Sequence, residues 1–111
     1  AAPLAEFAER IFLVHAKDVA IDAARLAEDG VMATPLEYHT PRLPGRGEID
    51  WPAFFAALRA IEHDGSGYDG VVCREVEDRD YEGTLADRQR ALREGAAFLR
   101  GAAALRGANA W

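Results

Sequence analysis

The apolar positions of this chain fall into two short unbroken runs and two helical stripes, separated by a long stretch with no period. Ile11-Phe12-Leu13-Val14 is uninterrupted and switches at once to His15, Lys17 and Asp18. Such a run suits a strand buried on both faces, as in a parallel sheet covered by helices. Period-two alternation over Ile11 to Ala16 puts Leu13 and His15 on one face and Val14 and Ala16 on the other, with Lys17 returning to the His15 side. A second strand is expected over about residues 70–76, where Val71-Val72-Cys73 leads to an acidic end: Glu75, Glu77, Asp78 and Asp80.

The stripes predict the helices. Asp50-Trp51-Pro52 is a start signal, a capping aspartate followed by a proline that the first turn tolerates. Trp51, Phe54, Phe55, Leu58 and Ile61 then recur at helical spacing as core, giving a helix over 51–63. His63 complements its dipole, and Gly65-Ser66-Gly67 forms the turn. Thr84 with Asp87 caps a last helix over 84–105, with Leu85, Leu92 and Leu99 on one stripe, before an Ala/Gly-rich tail. Upstream, Pro3 to Arg10 reads as the end of a helix, with Leu4, Phe7 and Ala8 on one face. Residues 18–50 read as a long loop interrupted by a short helix, capped by Asp22 and stopped by Gly30. Pro35, Pro41, Pro44, Gly45 and Gly47 mark the remainder as loop, and connections of this length are more often functional than incidental. The order helix, strand, long loop, helix, strand, helix predicts an α/β chain built on a right-handed parallel βαβ unit.

Composition narrows the partners. At 111 residues the chain holds one domain, and 50% hydrophobic with 29% charged residues is globular. A net charge of −6 without a Lys/Arg block argues against nucleic acid held through its phosphates. Cys73 is the one cysteine, which excludes an intrachain disulfide and points to a reducing compartment. No stretch reaches membrane-spanning length and no signal-peptide pattern is seen at the N-terminus. The expectation is a cytoplasmic protein with no membrane partner.

The chemistry sits at the strand ends. His15 and Glu75 are 60 positions apart in sequence, and adjacent parallel strands would bring them to one point. An imidazole and a carboxylate there suit a divalent metal such as Mn²⁺, Mg²⁺, Co²⁺ or Zn²⁺. A hydrogen-bonded structural histidine would leave the same trace, so the pair alone leaves both readings open.

Four motifs add to this: Val14-His15-Ala16-Lys17-Asp18; the run from Pro41 through Pro44-Gly45-Arg46-Gly47 to Trp51; Tyr68-Asp69-Gly70-Val71-Val72; and Glu75-Val76-Glu77-Asp78. In this order they resemble the C-terminal part of the xylose-isomerase-like TIM barrels, more narrowly the sugar phosphate isomerase/epimerase group. The resemblance spans about Arg10 to Leu99. It implies the βαβα C-terminal quarter of a (β/α)8 barrel, with strands seven and eight at 11–16 and 70–76 and the barrel incomplete in this chain. It further implies His15 and Glu75 as metal ligands and Glu75 as an acid/base group in enediolate proton transfer on a sugar or sugar phosphate. Arg42 is implied as a substrate contact, with Lys17 and His39 as weaker ones. Asp18 is expected to orient backbone or His15, and Glu77 and Asp78 to support the ligands or face solvent. Arg74 departs from the family's apolar preference and should face the outer helices, snorkelling or pairing with Asp87.

The first six strands of such a barrel, with its other ligands, lie outside these residues. That leaves three readings: a fragment of a longer enzyme, a quarter barrel completed by self-association or by a second chain, and a non-catalytic remnant. It also leaves open that the isolated chain holds no metal. Metal-dependent endonucleases of the same barrel are a further alternative, which the acidic balance disfavours.

Overall fold

A computed structural model describes residues 2–34, 36–61 and 67–105. The chain opens with helix α1 (Ala2–Glu6) and a single 3₁₀ turn at Ala8–Arg10. Strand β1 (Leu13–Ala16) pairs in parallel with β4 (Val71–Arg74), Leu13 opposite Val71 and His15 opposite Cys73. The ladder runs one step further, since the Glu75 amide donates to the Ala16 carbonyl at 3.0 Å. Helix α3 (Trp51–Ala60) and helix α4 (Leu85–Ala104) pack on one face of this pair. Asp50 caps α3 through the Ala53 amide, and Thr84 caps α4 through the Asp87 amide, both as the sequence predicts. This is an α/β arrangement of two parallel strands and flanking helices, and no closed barrel forms among the described residues.

The main core lies between sheet and helices. Val14 and Ala16 of β1 meet Trp51, Phe55 and Leu58 of α3 and Leu99 and Ala102 of α4. The other sheet face, read as buried from its unbroken apolar run, is bare. Leu13 is 53% and Val71 67% exposed, with His15 and Cys73 exposed beside them. Strand alternation holds; among the described residues nothing covers the second face.

The 18–50 region is more ordered than its lack of period suggests. Strands β2 (Asp18–Ile21) and β3 (His39–Arg42) form an antiparallel pair, with α2 (Ala23–Asp29) between them. Pro41 lies within β3, where a loop is expected from its residue type. The pairing explains why it is tolerated: the Val19 and Ile21 amides are donated to the carboxylates of Asp18 and Glu48, so they point away from β3. Pro41, opposite Val19, therefore occupies a position where no ladder N–H is required. Helix α2 matches expectation in both its Asp22 cap and its Gly30 stop. Pro35 and the turn and dipole roles of His63, Gly65 and Ser66 lie outside the described residues.

Helix α4 departs from its predicted stripe. Its buried line is Ala91, Gly95, Leu99 and Ala102, whereas Leu85 and Leu92 are 72% and 46% exposed. A strict seven-residue spacing drifts about 20° per heptad around a straight helix. The packed face is the one whose small residues admit the strand beneath. A Cβ on Gly95 would come within 2.7 Å of Arg74 Cδ and 3.1 Å of Leu43 Cδ1.

Candidate active site

Alternation carries Glu75, one residue past β4, onto the same sheet face as His15. Their side chains meet: His15 Nδ1 lies 2.5 Å from Glu75 Oε1. With a carboxylate as acceptor, Nδ1 carries the hydrogen of this bond. Lys17 joins them, its ammonium 3.4 Å from Glu75 Oε2 and 2.9 Å from Glu77 Oε2. His15 and Glu75 side chains remain 52% and 30% exposed, so the cluster opens to solvent on the bare side of the sheet.

The charges are mutually supporting. The hydrogen bond from His15 holds the Glu75 carboxyl below the usual carboxylate range; slight desolvation works against this and the Lys17 ammonium adds to it. The Lys17 ammonium is pushed up, first by its hydrogen bond to Glu77, against some desolvation, with Glu75 helping. At neutral pH the cluster therefore presents an ionised carboxylate and a cation beside an imidazole.

His39 lies on β3 with its ring edge-on to Tyr38 at 5.2 Å. Together with Lys17, Glu77, Leu36 and Pro41 it lines an open cavity of about 300 Å³, so the two weaker sequence candidates share one hollow next to the cluster. Arg42 is placed otherwise. Its guanidinium lies 3.3 Å from Asp78 Oδ1 and 3.1 Å from Asp80 Oδ2, and among the described residues nothing joins it to His15 or Glu75.

Two carboxylates that sequence reading set in the background organise the loop behind the cluster. Asp18 is buried and accepts from the amides of Val19 (2.9 Å), Gly45 (2.9 Å) and Ile49 (3.2 Å) and from the Trp51 indole (2.8 Å). Burial pushes its carboxyl up, and these four donors, the indole foremost, more than reverse that and hold it low. Its expected role of orienting backbone is what the geometry shows. Asp78 is the correction. Expected to support the ligands or face solvent, it is 1% exposed and accepts from the amides of Leu43 (3.0 Å) and Asp80 (3.1 Å). It too is held low despite its burial, by those amides and by Arg46 and Arg42. Asp80, read only as part of the acidic strand end, bridges Arg42 (3.1 Å) to Arg46 (2.9 Å). The sequence signal was two arginines, Arg42 and Arg46, answered by two aspartates, Asp78 and Asp80. Glu48, missed, closes the turn by accepting the Ile21 amide at 2.8 Å while its own amide donates to Val19.

His15 Nε2 and the Glu75 carboxylate are the right kinds of donor for a divalent metal, but an ion of this class takes four or more ligands. Among the described residues no three of His, Cys, Asp or Glu gather to hold one. The donor set fits in kind, but with Nδ1 engaged by Glu75 the other ring nitrogen lies on the far side from that carboxylate, so the two side chains would have to part to share one ion. Arg74 points to the outer helices as expected, but its proposed partner is taken: Asp87 bonds Thr84 at 2.7 Å and Arg90 at 2.9 Å.

No helix is long and apolar enough to cross a membrane among the described residues. A family model described as xylose isomerase-like TIM barrel matches residues 2–102. No curated protein and no solved structure gives a match.

Proposed function

This chain belongs to the xylose isomerase-like TIM barrel family, and on that premise we propose that its β1 and β4 ends form part of a sugar or sugar-phosphate isomerase or epimerase site. The observation that carries this reading is the meeting of His15 and Glu75 at the C-terminal ends of adjacent parallel strands, where barrels of this kind do their chemistry. Glu75 takes a carbon-bound proton at a carboxylate oxygen, and returns it for an epimer or isomer. Its low proton affinity at rest keeps it ionised and ready at neutral pH. Lys17 stands between two carboxylates, so it balances Glu75 while that group is charged and stays paired with Glu77 when Glu75 is protonated. His15, fixed through Nδ1, presents Nε2 outward. His15 and Glu75 are the residues that would hold a divalent ion, Mn²⁺, Mg²⁺, Co²⁺ or Zn²⁺, which when bound supplies Lewis-acid polarisation of a substrate oxygen. Substrate hydroxyls or a phosphate enter the hollow lined by Lys17 and His39. Further strands, beyond those of the described residues, cover the bare sheet face and exclude water. The lone free cysteine suits a cytoplasmic setting.

A second reading, a non-catalytic module, has one observation in its favour: the donor set gathered among the described residues is short. One experiment separates them. Incubation with an aldose or ketose and Mn²⁺ in D₂O, followed by proton NMR, should show deuterium entering at the carbon next to the carbonyl. Glu75→Gln should slow this at least about a hundredfold. Equal exchange by wild type and variant, or none by wild type, contradicts the catalytic reading.

A further inference from the structure

On the opposite face of the sheet from His15 and Glu75, we propose a separate binding site for a small organic acid, a carboxylate carried on a compact apolar body. Val72 and Arg74 alternate with Cys73 and Glu75, so the side chain of Arg74 leaves the strand towards α3 and α4. There it lines a cavity of about 270 Å³ together with Phe55, Val72, Leu99 and a second arginine, Arg100. The walls are apolar apart from these two cations.

Neither guanidinium is engaged by a hydrogen bond or ion pair among the described residues, and Arg74 Nε is buried without an acceptor. A chain with 19 acidic and 13 basic residues does not lack carboxylates. The acids on the surrounding elements are committed elsewhere, however: Asp87 to Thr84 and Arg90, Glu94 to the Tyr81 hydroxyl, and Glu75 to the other sheet face. Helix α3 carries none. Two guanidinium groups beside one apolar cavity, with no carboxylate of the described residues reaching them, leave the acceptor to be supplied from outside.

The arginine is also accommodated by design of the helix above it. Gly95 leaves out the Cβ that would sit 2.7 Å from Arg74 Cδ, so α4 gives up helix propensity at the point where the arginine stem passes beneath it. Arg74 Nε itself is closed off, so a carboxylate in the cavity meets the terminal amino edge of the guanidinium, which offers two parallel hydrogen bonds. The cavity size suits a ring or short branched chain behind that head.

Benzoate is the probe, with benzyl alcohol as its neutral counterpart and inorganic phosphate as a charged head without an apolar body. Titration into the ¹⁵N-labelled chain should move the amides of Val72, Ala96 and Leu99, with a millimolar dissociation constant. Benzyl alcohol and phosphate should each bind at least about tenfold more weakly. Arg74→Met should cost a similar factor. Arg100→Met, on an exposed helix position that tolerates substitution, should also weaken binding and decides the matter if the first variant does not fold. No benzoate shifts at these amides, equal binding of benzoate and benzyl alcohol, equal binding of benzoate and phosphate, or an unchanged affinity in Arg100→Met would each overturn the proposal.

Discussion

At the scale of single residues, the most instructive position is Asp18. In sequence it is the last letter of a His-x-Lys-Asp run, expected to orient backbone or His15. In the fold it is a buried carboxylate holding four donors, and its backbone neighbours at Gly45 and Ile49 depend on it. Its folded-state proton affinity is lowered, so its contribution is present above the ordinary carboxylate range and is lost as pH falls below about 4. Asp18→Asn is expected to cost about 2–4 kcal/mol at pH 7. Urea unfolding followed by Trp51 fluorescence should show the gap between variant and wild type closing as the pH is lowered through that region. A gap that is constant with pH would show that the charge plays no part. The backbone-orienting role was expected; the particular donors at Gly45, Ile49 and Trp51 were not legible, because they arrive from distant positions.

At the scale of elements, strand and helix positions were legible where the pattern was local. The β1 run, the Asp50 and Thr84 caps and the aromatic stripe of α3 all follow from near neighbours in sequence. The β2–β3 pair was not, since its strands are short, Pro-containing and held by pairings from Ile21–His39 to Asp18–Arg42, far apart in sequence. The buried stripe of α4 was misread for a related reason: which of several lines of a helix packs depends on where its partners are small. The turn between β3 and α3 offers a sharp test. A Cβ on Gly47 would fall 2.4 Å from the Val19 carbonyl oxygen and closer still to the Asp18 carboxylate. Neither is a flexible side-chain end, so Gly47→Ala should lose about 2–4 kcal/mol in denaturant unfolding despite removing a glycine from the unfolded chain. A neutral or stabilising result would mean that the turn and Asp18 do not pack as closely as described.

At the scale of the whole molecule, one sheet face is packed and the other is open. Leu13, Val71 and Phe12 are apolar and more than half exposed, and among the described residues both edges of the two-stranded parallel sheet are unpaired. A buried-type strand left in this state pairs with other chains. Light scattering of the wild type is expected to show multimers, and Val71→Lys, which places a charge on that face, is expected to shift the distribution towards monomer. A wild-type monomer with a cooperative unfolding transition would count against completion of the sheet between chains. The convergence of His15 and Glu75 was legible before any coordinates, because parallel pairing and alternation fix it. The role of Arg42 was not, because the carboxylates that take its charge lie 36 and 38 positions away.

The account rests on His15 and Glu75 acting as one unit. The direct measurement is Mn²⁺ affinity, read by electron paramagnetic resonance, for the wild type, His15→Ala, Glu75→Gln and the double variant. Each single change should weaken binding at least about tenfold. The double variant should lose little beyond the larger single loss, a coupling of about 1 kcal/mol or more. Single variants that bind as the wild type does, or losses that simply add, would contradict it.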